Sequence, residues 1–162
     1  MKLQSIKDHP EYIEEAIEQA AAYLYEQEEE KGSLNREKLF EQARQDLQEL
    51  IEDDNRQFFL FTKGKNVIGF AECDLIEEAQ TDEDPPEATL KVVSFYIAPP
   101  FRRQKLGSHF FNVLREWAKP KATLLEMEVP GFHVGEKAFL EGMGLELVDL
   151  GPPNLWRGFI QK

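Results

Sequence analysis

Disulfides and membrane-spanning segments are both missing from this sequence. Cys73 is the single cysteine among 162 residues, so no disulfide can form within the chain, and a reducing compartment is expected. No stretch approaches the ~20 consecutive apolar residues that cross a bilayer. Residues 1–12 also lack the apolar centre of a secretion signal. These absences predict a cytoplasmic protein with no membrane partner.

Positive charge is also scarce. The chain has 19 Lys and Arg against 31 Asp and Glu, which gives a net charge of -12. Because nucleic-acid phosphates would be repelled by such a chain, we expect no nucleic-acid partner. The acidity is compatible with a cationic acceptor such as an amine, although solubility explains it equally well.

Acidic residues are absent from one long stretch, between Lys91 and Arg115. An even spread of the acids would place about five of them there. This stretch predicts a strand at residues 92–97, a break at Pro99-Pro100 and a basic loop at residues 101–105. A helix follows, with apolar residues at helical spacing: Leu106, Phe110, Val113, Leu114 and Trp117.

A loop that leads from a strand into a helix in this way is suited to binding a phosphate. The first N–H groups of a helix have no partner within the helix, and the helix dipole places partial positive charge there. Gly107 allows a ligand to approach the backbone closely. Arg102, Arg103 and Lys105 add cations beside the same amides. The alternative is an ordinary solvated basic turn between a buried strand and a buried helix.

These residues resemble the GNAT superfamily of acyl-CoA-dependent N-acyltransferases. The family motif, R/Q-x-x-G-x-G/A, follows a strand that ends in an apolar residue, a variable residue and proline; here Ile97-Ala98-Pro99 precedes the run from Arg102 to Gly107. The resemblance implies that acetyl-CoA is a co-substrate, with its pyrophosphate on the loop amides and its pantetheine arm on strand backbone groups. The implied cofactor-binding residues are Phe95, Ile97, Arg102, Arg103, Gln104, Lys105, Leu106, Gly107 and Ser108. Lys105 replaces the first motif glycine, which costs free energy if that position needs a positive φ.

Hydrophobic periodicity and turn residues predict the other elements. A strand at residues 2–7 precedes a helix that Asp8 caps and that runs to about Glu28, and a second helix spans about Asn35 to Glu52. Later strands are predicted at 58–61, 67–75 and 124–129, with an acidic loop at 76–88. A helix at about 134–142 is expected to hold Ala138 and Phe139 to the core. A last hairpin has its strands at 145–148 and 155–160.

The predicted order is β-α-α-β-β-β-α-β-α-β-β in a single domain over residues 1–162. This order matches the GNAT order. The resemblance therefore implies an α/β (α+β) fold with a mixed, mostly antiparallel central sheet and helices on both faces.

The family's usual catalytic groups are not found at the matching positions. Leu140 stands where many members have a tyrosine that acts as the acid, and His133 replaces an asparagine that contacts CoA. Some members use a strand carboxylate as the base, and the matching position in this chain lies near Lys91. His133 is a candidate because histidine changes charge near neutral pH; a loop histidine without a role is the alternative. Glu72 and Glu126 are tentative candidates for a base that acts through a water, and a solvated outer strand face is the alternative for Glu72. Tyr96 is a further tentative candidate on the central strand, although the sequence does not define which face it occupies. No metal is expected.

The sequence thus predicts an N-acetyltransferase that moves an acetyl group from acetyl-CoA to a primary amine of a small-molecule or peptide acceptor. By resemblance, residues 25–36 help to choose that acceptor. The alternative is a catalytically weak module of the same fold that binds acyl-CoA or a protein partner as a sensor, which Lys105 and Leu140 favour. A homodimer through Trp156 and Phe159 of the last hairpin is a further expectation, although core packing explains these two residues equally well.

Overall fold

The structure, a computed structural model, describes residues 1–29, 35–78, 87–129, 134–151 and 153–160. The helices are α1 (Ile13–Glu29), α2 (Arg36–Glu52), α3 (Leu106–Ala118) and α4 (Val134–Gly142). The strands are β1 (Lys2–Ser5), β2 (Arg56–Lys63), β3 (Asn66–Glu78), β4 (Glu87–Ile97), β5 (Leu124–Val129), β6 (Glu146–Asp149) and β7 (Asn154–Phe159). This succession confirms the predicted order of elements.

The seven strands form one sheet in the order β1-β2-β3-β4-β5-β7-β6. The pairs β1–β2, β5–β7 and β6–β7 are antiparallel, whereas β4 and β5 are parallel, with Leu90 opposite Leu125. These pairings confirm the predicted mixed, mostly antiparallel sheet. No helix within the described ranges is both long and apolar enough to span a bilayer.

The chain separates into two compact units, residues 1–72 with 94–102 and residues 73–93 with 103–162. In the first unit, the apolar face of α1 buries Ala16 and Ile17, and that of α2 buries Leu47 and Leu50. These side chains belong to one core with strand residues such as Phe58, whose ring stacks on Phe70 at 4.8 Å between centroids. The helical spacing of the apolar residues therefore produces the face that is buried.

The two predicted helix starts in the first unit have different outcomes. Asn35 caps α2, because its side chain accepts the Lys38 N–H at 3.3 Å. Asp8 does not cap the first helix: a 3₁₀ turn at Pro10–Tyr12 follows His9 without a side-chain cap, and α1 begins only at Ile13. Pro10 suits the first position of this turn, because an N–H there would have no acceptor within the turn.

In the second unit, α3 buries Phe110, Phe111, Leu114 and Ala118. α4 matches the prediction in part, because Phe139 is half-buried and its ring packs edge-on against Phe111, with centroids 5.9 Å apart. Leu140 is buried while Ala138 is exposed, so the placement of Ala138 in the core is wrong. Gly144, at φ +81°, ends the turn after α4.

The last hairpin and the acidic loop also differ from expectation. Trp156 is buried and Phe159 is exposed, so only Phe159 of this pair belongs to the surface. β3 continues to Glu78 and β4 begins at Glu87. The predicted loop at residues 76–88 is therefore shorter at both ends, and its centre, residues 79–86, lies outside the described residues.

Candidate active site

The loop before α3 contains two non-glycine residues with positive φ, Arg103 at 60° and Lys105 at 61°. Lys105 is left-handed, and α3 starts at Leu106, where the His109 N–H donates to the Lys105 carbonyl at 3.2 Å. A left-handed residue followed by helical ones turns successive amides toward one side, which forms an anion-binding concavity. The position of the first motif glycine does need a positive φ, and lysine supplies it at a cost of about 1–3 kcal/mol.

Arg102 is held by groups of the first unit. Its Nη2 donates to both carboxylate oxygens of Glu26, at 2.9 and 2.8 Å, and its Nε donates to the Ile97 carbonyl at 2.7 Å. The guanidinium also lies over the Tyr96 ring, 5.3 Å from its centroid. The second lone pair of the Ile97 carbonyl can still accept a donor from a ligand. Arg102 thus fixes the end of β4.

Tyr96 is buried in the first unit, and its hydroxyl donates to Glu26 Oε1 at 3.3 Å. Its ring contacts Tyr23 and Phe70 with centroids 5.9 and 5.7 Å apart. Burial, followed by the charge of Glu26, raises the pKa of the Tyr96 hydroxyl, while Arg102 opposes the shift. The phenol therefore keeps its proton at neutral pH and can act as a donor.

Sequence reasoning did not identify Glu26 as a functional candidate. Its carboxylate joins Arg102 to Tyr96 from α1, about 70 residues earlier in the chain. Helical periodicity places Glu26 near the end of α1 but gives no sign of a partner so distant in sequence. The predicted acceptor region, residues 25–36, does include it.

Glu72, the second predicted catalytic residue, is paired with Arg56 at 2.6 Å and is partly buried. It lines a small pocket of about 150 Å³ in the first unit, together with Asp46 and Ser94.

Glu126, in the second unit, belongs to a row of charged residues across neighbouring strands. Arg157 donates to its Oε1 from Nε at 2.8 Å and from Nη2 at 2.6 Å. Lys91 lies opposite Glu126 in the β4–β5 register and pairs with Glu128 at 2.9 Å, which raises the pKa of Lys91. His133, the remaining catalytic candidate, lies outside the described residues.

A pocket of about 370 Å³ opens in the first unit beside Tyr96 and Glu26. Side chains of α1, α2 and the segment after β4 line it: Glu18, Ala21, Ala22, Tyr25, Glu26, Arg36, Leu39, Phe40, Tyr96 and Pro99. Its volume is within the range of ~300–1,000 Å³ that is usual for small-ligand sites.

Comparison with known proteins identifies the family of the chain. The profile of the Acetyltransferase (GNAT) family matches residues 13–144. The chain therefore belongs to the GNAT acetyltransferase family and is an acyltransferase whose donor is a CoA thioester. No curated protein matches the chain in sequence.

Several solved structures share the fold. The PaiA N-acetyltransferase from Thermoplasma acidophilum, in complex with coenzyme A, is 17% identical, with a TM-score of 0.68 over 98% of this chain and 99% of that one. An aminoglycoside 6'-acetyltransferase type Ii is 11% identical, with a TM-score of 0.67 over 100% and 99%. An acetyltransferase from Thermus thermophilus is 20% identical, with a TM-score of 0.64 over 98% and 96%. Similarity at these identities shows a common fold, whereas the acceptors differ between proteins that share it.

Proposed function

We propose that this protein transfers an acetyl group from acetyl-CoA to a primary amine. The observation that carries the proposal is the buried Tyr96 hydroxyl, which is kept protonated on the wall of a pocket large enough for a small acceptor. Acyl transfer to an amine needs a proton donor for the departing sulfur, and a phenol, which carries its proton at neutral pH, can supply one when it is placed beside the thioester.

The concavity formed by Lys105 and the start of α3 would hold the pyrophosphate of the donor. The amides of Leu106, Gly107 and Ser108 precede the first hydrogen bond within α3. Arg103, Gln104 and Lys105 lie in the same loop, and the two basic residues add positive charge to it. Backbone groups of Phe95 and Ile97 would hold the pantetheine arm at the end of β4.

The residues of the first unit have distinct roles in this proposal. In the reaction, the bond from the amine nitrogen to the acetyl carbon forms and the bond from that carbon to sulfur breaks. Tyr96 gives its proton to the sulfur and regains one from water, while Glu26 and Arg102 orient the phenol. The amine proton leaves through water; Glu72, Glu126 and His133 stay proposals for the group that receives it.

Calorimetric titration with acetyl-CoA tests the donor site. We expect saturable binding of one molecule per chain, weakened about fivefold by Lys105→Ala, because one cation beside a phosphate is lost. Lys121→Ala removes an exposed cation outside the loop and should leave the affinity unchanged. Absence of binding at millimolar acetyl-CoA would contradict the donor proposal.

Turnover with a panel of primary amines tests the transfer itself. Release of CoA that depends on the amine, with an acetylated product in the mass spectrum, is the expected result. Hydrolysis of acetyl-CoA without product, or binding without turnover, would favour the sensor alternative.

The proposed assembly is a homodimer, formed in a cytoplasmic setting that the single cysteine favours. Val148, Leu150 and Phe159 are exposed apolar residues in or beside the last hairpin, and β6 is the terminal strand of the sheet order. Light scattering on the wild type and on Phe159→Asp tests this assembly. A wild-type mass equal to one chain would contradict it.

A further inference from the structure

The pocket beside Tyr96 has an almost entirely apolar lining. Among the described residues that line it, Glu18, Glu26 and Arg36 are the charged ones. Two of these already have partners, because Glu26 binds Arg102 and Arg36 lies over the Tyr25 ring at 5.1 Å. The other side chains are alkyl groups or aromatic rings, such as Leu39 and Phe40.

We infer that this pocket receives the apolar body of the acceptor, so that the substrate is a primary amine carrying a hydrocarbon or aromatic group. This inference rests on the proposed amine acetylation and specifies its substrate class. Polyamines and amino sugars are disfavoured, because beyond the Glu18 carboxylate the lining offers extra ammonium or hydroxyl groups carbon surface rather than hydrogen-bond partners.

The polar atoms of the wall indicate which end of the acceptor lies where. The Tyr96 hydroxyl and the Glu26 carboxylate are 3.3 Å apart and mark one part of the wall. Phe40, from α2, supplies an aromatic face that is 44% exposed. The amine nitrogen therefore lies toward Tyr96, while the carbon chain lies against residues such as Phe40 and Leu39.

A homologous series of amines gives the first test. With acetyl-CoA fixed at saturation, kcat/KM should rise roughly fourfold per methylene from butylamine to hexylamine, since each buried methylene contributes a constant increment. Diamines of the same length are the matched control, and their kcat/KM should be at least tenfold lower. A flat series, or spermidine preferred over hexylamine, would overturn the inference while leaving amine acetylation intact.

Two substitutions in α2 test whether the preference for longer amines arises in this pocket. Phe40→Ala should lower kcat/KM for hexylamine about tenfold, with a smaller loss for butylamine and no change in the KM for acetyl-CoA. Ile51→Ala is the control, because Ile51 lies on the same helix and is 37% exposed, compared with 44% for Phe40. Equal losses in both variants would contradict a pocket for the acceptor.

A binding measurement separates the two proposals. Calorimetric titration of the protein with hexylamine, in the absence of acetyl-CoA, should show binding that Phe40→Ala weakens about tenfold. If hexylamine binds in this way but no amine is acetylated, the pocket inference stands and the acetyl-transfer proposal fails. If hexylamine fails to bind while polyamines are acetylated, the acetyl-transfer proposal stands and the pocket inference fails. Leucinamide and a dipeptide beginning with leucine, assayed beside hexylamine, distinguish a free amine from a peptide N-terminus.

Discussion

Lys105 holds a backbone conformation that glycine adopts freely and that lysine does not. Its φ of 61° precedes the first turn of α3, and Arg103, two residues earlier, has nearly the same φ. Such conformations persist only where the surrounding structure enforces them, and they are frequent at ligand-binding sites. Although its backbone is strained, Lys105 places a permanent positive charge beside the first amides of α3.

Replacing Lys105 with glycine should stabilise the fold slightly. Relief of the left-handed strain gives ~1–2 kcal/mol, and the greater freedom of glycine in the unfolded chain removes ~0.5–1 kcal/mol of that gain. Urea denaturation should therefore show a higher free energy of unfolding. Gly64→Ala is the opposite control, because Gly64 also has a φ of +60° and its alanine variant should be destabilised. A destabilised Lys105→Gly would contradict the strain argument.

Replacing Tyr96 with phenylalanine should lower kcat about 100-fold with little effect on acetyl-CoA affinity, since a general acid contributes 10²–10⁴-fold. Tyr12→Phe, outside the pocket lining, should retain full activity. Full activity of Tyr96→Phe would remove the phenol from the mechanism.

The pH dependence of stability gives an independent check on Tyr96. Its pKa is raised in the folded state, so above the ordinary tyrosine pKa of ~10 the unfolded chain loses a proton that the folded chain keeps. The wild type should therefore lose stability as the pH rises beyond ~10, and Tyr96→Phe should lose less. Urea denaturation at pH 9 and pH 11 measures the difference. Equal losses in the two proteins would contradict the shift.

Among the elements, those set by local chemistry were predictable from sequence. The helical spacing of Leu47 and Leu50, the Asn35 cap and the Gly64 turn are each encoded within a few residues. The face of α4 was only partly predictable: Phe139 packs against Phe111 as expected, but a helix of nine residues contains too few apolar positions to show that Leu140 is buried instead of Ala138. The Glu26 contact with Arg102 was not predictable for another reason: it depends on how α1 packs against the end of β4 within the first unit.

Gly69 shows how closely two strands approach each other. A Cβ at this position in β3 would lie 2.0 Å from the Tyr96 carbonyl oxygen of β4, where the neighbouring Ala98 N–H donates to the Ile68 carbonyl at 2.8 Å. Because glycine has no Cβ, it allows this approach. The position of the Tyr96 backbone thus depends on the absence of one side-chain atom.

Gly69→Ala should lower the free energy of unfolding by about 1–3 kcal/mol, because one strand must shift to make room. Gly142→Ala is the matched control, because its new Cβ would meet no atom within 4 Å, and it should be neutral or stabilising by ~0.5–1 kcal/mol. Denaturant titration of the two variants checks this. Similar stability for Gly69→Ala and the wild type would show that the strands yield without cost.

At the scale of the whole molecule, charge is the dominant feature. A net charge of -12 spread over 162 residues makes the compact state repel itself, while the acid-free stretch keeps one part of the chain favourable to anions. Added salt screens the repulsion between exposed charges that lie about a Debye length apart.

The thermal midpoint should therefore rise by a few degrees between ~0.02 and ~0.5 M sodium chloride at neutral pH. Differential scanning calorimetry measures the shift. The same comparison near pH 4.7, the isoelectric point of the sequence, is the control and should show little change. A midpoint that falls with salt at neutral pH would mean that attractive ion pairs outweigh the net repulsion.

The burial of the chain's one thiol has a practical consequence for enzymology. Cys73 lies in β3 with no exposed surface, so a thiol-reactive dye added to the native protein has little to label. During turnover, the colour that develops therefore counts released coenzyme A with almost no background. Any signal beyond the released coenzyme A, up to one equivalent per chain, comes from labelling of Cys73 and reports how often the sheet opens. A single reagent therefore measures both turnover and local unfolding.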